Sequence, residues 1–393
     1  MTSPRAVARG LVFFLLLVSS VAVLARPSIP SSDATVLEHV PAAAATEQLR
    51  SLREKVTADP EDLQSAVALA KGYLEIGRQN ADPRFTSYAQ ATLAPWLSRP
   101  TPSSDVLVLS ATALQSLHQF NEALTLLNRA LAATPDNPQA WLTKATILQV
   151  QGQFDDARKA CAQLSRTAGH LIAFACVAGV NSLTGRLAPS YTALSTIYVD
   201  DERLPPGIRT WVLGQLAEMS VRMGDAPAAE RYFRSALRVA PEDVYLKSDY
   251  ADLLLSQGRA AEVVALLRNN EPQDNLLLRL AIAGKKLRSA DGKRWADLFE
   301  ARYQAARRDG DFTHLREQAR FALEVKANPA EALQLAAQNW QVQKEPADVR
   351  IYIAAADAAR DAPARSRITQ WTQTVHYEDR TLEMKSSNEV ARR

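Results

Sequence analysis

The sequence predicts an all-α protein, a right-handed α-solenoid built from helix pairs. Between residues 104 and 270 one pattern recurs at a fixed distance: Ala111 and Ala145 are 34 residues apart, and so are Ala217 and Ala251. The apolar residues around them follow the helical period, and no stretch shows the sustained alternation of a strand. A repeat of this length corresponds to two helices and a turn. The spacing therefore predicts an array of helix pairs.

A turn residue at a constant place supports the same register. It follows the small residue of each first helix by seven positions. It is glycine in four repeats and histidine in the first: Gly152, Gly185, Gly224, Gly258 and His118. A second apolar run begins after each turn. Each repeat is thus predicted as helix, turn, helix.

The repeats resemble tetratricopeptide repeats, most clearly in the first and the fourth. Residues of the types that the family packs stand at matching positions there: Leu107, Ala111, Leu114, Ala123, Leu127, Ala130 and Pro135 in the first, and Leu213, Leu216, Ala217, Ala229, Phe233, Ala236 and Pro241 in the fourth. Small residues are needed where the two helices cross, and larger ones where repeats stack. The prolines end the second helix, and the second and third repeats lack them. The resemblance implies a solenoid of tetratricopeptide-like helix pairs.

The N-terminus predicts export. Arg5 and Arg9 precede an uncharged run over residues 10–25. This run is shorter than the roughly 20 residues that a spanning helix needs, and Val23-Leu24-Ala25 offers the small residues that signal peptidase reads. Residues 1–25 are therefore a signal peptide or an uncleaved N-terminal membrane anchor. In either case we expect the repeats in the periplasm, free or held at the inner membrane and facing the periplasm.

The rest of the chain divides by composition and periodicity. Residues 26–45, rich in proline and serine, are predicted as a tether, and residues 46–103 as divergent opening helices. Residues 104–270 hold the five tetratricopeptide-like repeats. Residues 271–376 carry degenerate C-terminal repeats and a capping helix, because the ends of a solenoid need a polar outer face. The charged residues 377–393 are predicted to form a flexible tail.

Composition and motifs argue against several classes of function. The net charge is +3, and two of the positive charges lie in the N-terminal segment, so no nucleic-acid-binding surface is expected. None of the five histidines has a second ligand at helical spacing. There is no nucleophile elbow, phosphate-binding glycine loop or dinucleotide motif. We therefore expect no metal, no cofactor, no catalytic residue and no enzyme activity.

Cys161 and Cys176 are candidates for a disulfide. They fall in the second helix of one repeat and the first helix of the next, at equal distances from the turn at Ala168-Gly169. An antiparallel arrangement would bring them level, and small neighbouring residues permit the close approach that a disulfide requires. An exported protein can oxidise such a pair. The alternative is two free thiols that pack as small core residues.

Partner binding is expected in the concave groove formed by the first helices. Periodicity directs seven candidate residues toward it: Gln115, Gln149, Trp211, Glu218, Arg222, Tyr245 and Asp252. The best-known groove of the family clamps a peptide carboxylate with lysine and asparagine. The matching positions here hold other residues, such as Val108 and Thr112, so that clamp is not expected. An ordinary solvated helix face is the alternative for each candidate.

The leading functional interpretation is an exported tetratricopeptide scaffold of the bacterial envelope type that binds a protein or peptide in its groove. One alternative is a membrane-anchored accessory subunit of an envelope assembly or secretion complex, which would contact the membrane only through residues 10–25. An envelope enzyme without a recognisable motif is the alternative from another class. Mass spectrometry of the mature N-terminus distinguishes the first two.

Overall fold

The computed structural model describes residues 44–270, 273–308 and 314–382. Within these ranges the chain forms nineteen α-helices, one π-helical turn and no β-strand. The predicted export segment, residues 1–25, lies outside the described residues, as does most of the tether. The chain divides into two units, Met1–Thr46 and Glu47–Arg393, and every contact described below lies within the second.

The helices follow one another as α1 Ala44–Ala58, α2 Leu63–Asn80, α3 Pro83–Leu97, α4 Ser104–Ser116, α5 Phe120–Ala133, α6 Pro138–Val150, α7 Phe154–Thr167, α8 His170–Ser182, α9 Leu187–Ile197, α10 Pro206–Arg222, α11 Ala226–Val239, α12 Val244–Ser256, α13 Ala260–Leu267, α14 Asp274–Leu287, α15 Ala290–Arg308, α16 Leu315–Arg320, α17 Pro329–Trp340, α18 Pro346–Ala359 and α19 Ala362–Thr374. The π-helical turn, Phe321–Val325, continues α16. The predicted all-α solenoid of helix pairs is confirmed.

The turn between the two helices of a repeat requires a left-handed backbone. At the four predicted glycines φ lies between 75° and 76°, a region that glycine enters without a steric penalty. His118 takes the same place in the first repeat with φ of 57°. This conformational requirement is why the sequence shows a glycine at a constant distance from the small residue of the first helix.

The junction between repeats depends on a proline and a capping side chain. Helix α5 ends at Ala133, just before Pro135, and Asn137 then caps α6 by accepting a hydrogen bond from the Ala140 amide (2.9 Å). In the fourth repeat, α11 ends before Pro241. Asp243 then caps α12 by accepting a hydrogen bond from the Leu246 amide (3.1 Å). The proline stops one helix, and the capping oxygen satisfies a free amide of the next.

The residues at the predicted helix-crossing positions are buried and tightly packed. Ala111, Ala217 and Ala251 are fully buried, and Ala145 is nearly so. Their side chains leave just enough room for the partner helix, which is the reason for small residues at these points. The helical register derived from the 34-residue spacing therefore agrees with the packing.

A second kind of close crossing occurs between α14 and α15. The sequence pattern predicts a break at residues 289–292 and a helix beginning near Trp295, whereas α15 already begins at Ala290. A Cβ atom added to Gly284 would lie 2.2 Å from the Cα of Gly292. The two backbones touch here, so Gly292 serves helix packing rather than a turn.

The solenoid curves until distant parts of the chain meet. Arg78 near the end of α2 donates a hydrogen bond to Asp243 at the start of α12 (2.8 Å), across 165 residues of sequence. The C-terminal helices lie inside this curve, and Lys344, just after α17, donates from its amide to the Val150 carbonyl (2.8 Å). The first helices therefore face a space that the chain partly fills itself.

The structure differs from the prediction at the start of the C-terminal tail. The sequence predicts flexibility from Tyr377 onward, but residues 375–382, here called the strap, pack against the repeats. Asp379 is buried, and Glu378 hydrogen-bonds the amide of Leu187. Neither contact follows a local sequence pattern, which is why charge alone predicted a solvated tail. Residues 383–393 lie outside the described residues.

Candidate functional site

A large cavity lies on the concave side of the early repeats. It has a volume of about 1620 Å³ and is bounded by α2, α4 and α6 on one side. Tyr245 of α12, Leu315 of α16 and the segment around Gln343 form the other side. We call this space the open cavity. Small-molecule sites usually measure about 300–1,000 Å³, so this space is large enough for a segment of polypeptide.

Several polar side chains line the open cavity without a partner of their own. Gln115 of α4 and Tyr245 make no side-chain hydrogen bond within the described chain, and neither does Asp105. Tyr245 is 49% exposed although it lies on the concave side. A donor, an acceptor and an aromatic ring are thus available to another molecule at this place.

One rim of the open cavity joins the first repeat to the C-terminal part of the chain. The Gln343 side-chain nitrogen lies 3.0 Å from Nδ1 of His118, and the rings of His118 and His314 are 6.5 Å apart. Burial, together with the nearby His314 and Arg316, lowers the pKa of His118. A neutral imidazole can accept the hydrogen bond from the Gln343 amide.

The concave side of the later repeats is occupied by the chain itself. We call the residues Ser182, Glu218, Arg222 and Asp252, which lie on α8, α10 and α12, the covered surface. The guanidinium of Arg222 is 1% exposed and donates to the backbone oxygen (2.5 Å) and the hydroxyl (2.7 Å) of Ser182. It also forms an ion pair with Glu218 (2.8 Å). These contacts join α10 to α8.

The strap follows the turns of two neighbouring repeats. Glu378 accepts a hydrogen bond from the Leu187 amide at the first residue of α9 (2.7 Å). A Cβ atom on Gly185 would lie 3.0 Å from that of His376, so the strap lies directly on the turn. A carboxylate at a helix N-terminus satisfies a free amide and interacts favourably with the helix dipole.

A buried ion pair holds the next residue of the strap. The side chain of Asp379 is fully buried and accepts from Arg350 Nε of α18 (2.8 Å). Arg350 also lies 3.4 Å from Glu218 of the covered surface. Three elements far apart in sequence are therefore connected through one guanidinium group.

Tyr377 of the strap packs on Trp371 and on the cluster that contains the disulfide. Tyr377 lies 6.2 Å from the ring of Trp371, and the guanidinium of Arg222 lies 5.8 Å from the Tyr377 ring. Both rings pack against the cluster that contains Cys161 and Cys176. Those two cysteines form a disulfide with their Cα atoms 5.5 Å apart. Burial, with the charge of Asp379, raises the pKa of Tyr377 far above its usual value, so the ring stays neutral.

Helix α12 carries one paired and one unpaired carboxylate. Asp252 accepts from Arg279 (2.7 Å) and from Arg320 (2.8 Å). Burial opposes its charge, but the two arginines outweigh burial and hold the pKa of Asp252 at about 2. Asp249 has no hydrogen bond within the described chain. The protein around it, and then the negative charge of Asp252, raises the pKa of Asp249 to about 7.

The seven predicted groove residues separate into two groups. Gln115 and Tyr245 line the open cavity. The others are in contact with the chain itself: Glu218, Arg222 and Asp252 form ion pairs. The Gln149 amide lies beside Gly179. Trp211 is partly buried against a core cluster, and its Nε1 donates to the side-chain oxygen of Gln215 (3.1 Å). Their role in binding a partner stays a prediction.

Sequence reasoning missed the residues that fill the groove. Arg350 is a single charged residue among the predicted degenerate repeats, and Glu378 and Asp379 fall in the predicted tail. No spacing links them to α9 or α10. The aromatic residues Trp371 and Tyr377 are the signal that was available, because large aromatic rings usually pack on another surface.

Two family models match the chain, both described as tetratricopeptide repeat, over residues 114–170 and 216–275. The chain contains tetratricopeptide repeats. Such repeats generally mediate protein–protein interactions. In the comparison with curated proteins, no sequence matched.

Solved structures with a similar fold share little sequence with this chain. A chain of the APC/C hetero-tetramer Cut9–Hcn1 is 14% identical over 79% of this chain and 52% of that chain, with a TM-score of 0.38. This chain therefore spans about half the length of that one. A tetratricopeptide repeat protein from Parabacteroides merdae is 13% identical over 79% and 99% of the two chains (TM-score 0.36). Human IFIT1, in a dimer with PPP-AAAA, is 15% identical over 81% and 69% (TM-score 0.40).

The described residues contain neither a cluster of metal ligands nor a membrane-spanning helix. Within the described ranges, no three His, Cys, Asp or Glu side chains come together as metal ligands. Among the helices of residues 44–382 that the structure describes, none has both the length and the apolar character needed to cross a membrane.

Proposed function

We propose that this protein is an exported tetratricopeptide scaffold that binds a segment of a protein partner in the open cavity. The observation that carries the proposal is the cavity itself, because its volume exceeds that of ordinary small-molecule sites and its lining includes unpaired polar groups. The concave surface of a solenoid is also where such arrays usually bind. The family of the repeats agrees with a protein or peptide as the partner.

Two features support export. The N-terminal pattern, Arg5 and Arg9 followed by an apolar run, is typical of a signal peptide or anchor. The paired Cys161 and Cys176 fit an oxidising compartment, since disulfides rarely persist in the cytosol. The periplasm, or the periplasmic side of the inner membrane, satisfies both features.

Site-specific photo-crosslinking in cells tests the binding site. A photoreactive amino acid would replace Gln115 or Tyr245 in the open cavity and, as the matched control, Arg129, which is exposed on α5 and does not line the cavity. We expect one defined protein adduct from each cavity position and none from Arg129. The same adduct from all three positions, or none from the cavity, would contradict the proposal.

The N-terminus of the purified protein tests export and anchoring. Protein isolated from the cell envelope would be analysed by intact mass. A chain that begins after Ala25 indicates a cleaved signal peptide, and a chain that retains residues 10–25 in the membrane fraction indicates an anchor. Protein found only in the cytosol would disprove export.

A further inference from the structure

The strap contacts Leu187 of α9, Arg222 of α10 and Arg350 of α18 with the kinds of contact that hold a bound peptide. We propose that this surface recognises partner segments in which an aromatic residue is followed by two carboxylates, and that Tyr377, Glu378 and Asp379 are the chain's own copy of such a segment. The site is separate from the open cavity, so the proposal does not depend on the function proposed above.

The first carboxylate is recognised by a helix N-terminus. The amide of Leu187 points at Glu378 (2.7 Å), and Arg186, the residue before α9, offers no capping side chain. Glu378 is exposed, and its side chain extends to this amide. A carboxylate on a flexible peptide can reach it in the same way.

The second carboxylate is recognised by a guanidinium. Asp379 is fully buried against Arg350, and their atoms are 2.8 Å apart. With a neutral side chain at this place, the remaining partner of Arg350 would be Glu218, 3.4 Å away. Glu218 is already paired with Arg222. Removing one member of a buried pair is costly, so the site selects an acid over an amide of the same shape.

The aromatic ring is recognised by packing and by charge. Tyr377 fills the space between the Trp371 ring (6.2 Å) and the Arg222 guanidinium (5.8 Å). Its hydroxyl donates to Asp379 (3.2 Å), which orients the ring relative to the carboxylate. An arginine near an aromatic ring favours a ring over an aliphatic side chain.

The strap is covalently joined to α19, and a partner segment can compete with it for the same contacts. A short covalent linker gives the attached segment an effective concentration in the millimolar range. A free peptide of the same sequence should therefore bind weakly to the wild-type protein and much more tightly when the strap is weakened. This difference distinguishes a recognition site from a permanent structural contact.

Fluorescence anisotropy with full-length protein tests the proposal. The probe is a labelled peptide with the sequence of residues 374–382, and the control peptide carries amides in place of both acids. The weakened protein carries Glu378→Gln and Asp379→Asn, and circular dichroism verifies its fold. We expect the weakened protein to bind the acidic peptide at least tenfold tighter than the amide peptide, and at least tenfold tighter than the wild type binds it. Adding Arg350→Gln should reduce the preference for the acidic peptide.

Three results would overturn the proposal. Equal binding of the two peptides, or no binding, by the folded variant would make the strap a structural contact only. Concentration-dependent dimers with exchanged straps would make a second copy of this chain the occupant. If the double variant unfolds, the binding measurement uses the single variant Glu378→Gln, which changes only the exposed residue. In addition, hydrogen exchange of the wild-type protein is measured in the presence of millimolar peptide. In that measurement the acidic peptide must accelerate exchange in the strap more than the amide peptide, and equal rates would again exclude recognition. Crosslinking from Gln115 and Tyr245 is unaffected by any of these results.

Discussion

The open cavity and the covered surface are built from equivalent positions of successive repeats. The residue after the crossing alanine is Thr112 or Thr146 in the early repeats, and both line the open cavity. In the later repeats the same place holds Glu218 or Asp252, and both pair with arginines from the C-terminal part of the chain. Position within a repeat therefore decides which way a side chain points, but not whether it is free to bind a partner.

The difference has an electrostatic cause. A threonine on the concave side satisfies its hydroxyl within its own helix, as Thr112 does with the Val108 carbonyl (2.9 Å). A carboxylate crowded by protein needs a cation, and the chain supplies Arg320 and Arg350 for this purpose. Acidic residues in the later repeats thus bind the chain's own C-terminal helices, and neutral residues in the early repeats leave the cavity open.

The largest expected effect comes from removing the disulfide, whose hydrophobic cluster packs against the strap. We expect the variant with Cys161→Ser and Cys176→Ser to lose about 3 kcal/mol of unfolding free energy, because the bond closes a loop of 15 residues. Denaturant unfolding measures the loss. Trp371 and Tyr377 pack on this cluster, so hydrogen exchange should accelerate in the strap but not in α2.

Thiol counting of unreduced protein from the cell envelope is the control for that experiment. Two free thiols would show that Cys161 and Cys176 serve as core packing in the cell. Equal acceleration of exchange in α2 and in the strap would show that the disulfide supports the whole array rather than the strap.

A smaller effect is expected from Asp379→Ala, which leaves Arg350 without its nearest counter-ion. Breaking a buried pair costs about 3–5 kcal/mol, and since Arg350 is 26% exposed we expect about 2 kcal/mol. Gln115→Ala is the matched control on the open cavity, where no intramolecular bond is lost, and it should change stability by less than about 0.5 kcal/mol. Similar losses in the two variants would remove the distinction between the two surfaces.

The amino-acid sequence predicts the repeats well because their determinants are local and periodic. Ala217 and Gly224 occupy the crossing and the turn that a 34-residue spacing requires. The occupied groove could not be predicted in the same way. The contact between Glu218 and Arg350 spans 132 residues and that between Leu187 and Glu378 spans 191. Single charges separated by such distances leave no periodic trace, and the helix propensity of either segment is the same with or without the contact.

The smallest effect concerns pH and the rim of the open cavity, which joins the first repeat to the C-terminal part of the chain. In the folded protein the pKa of His118 is lowered, chiefly by burial and also by His314 and Arg316, against which Glu317 and Glu345 act. A histidine with a lowered pKa stabilises the fold fully above its unfolded pKa of about 6.5, and this stability is lost as the pH falls below that value. We therefore expect the open cavity's rim to weaken in mild acid.

Comparison of three proteins between pH 7.5 and 5.5 measures this effect. His118→Gly keeps the left-handed turn (φ 57°) that other repeats form with glycine, and it removes the titrating group. Gln343→Ala removes the hydrogen-bond partner (3.0 Å) but leaves the imidazole in place. The unfolding free energy of the wild type and of Gln343→Ala should fall with pH more steeply than that of His118→Gly, by a difference below about 1 kcal/mol. Parallel curves for wild type and His118→Gly would mean that His118 is not the group that weakens the rim. A steeper fall in His118→Gly would contradict the sign of its pKa shift, and the rim would then be stabilised by acid.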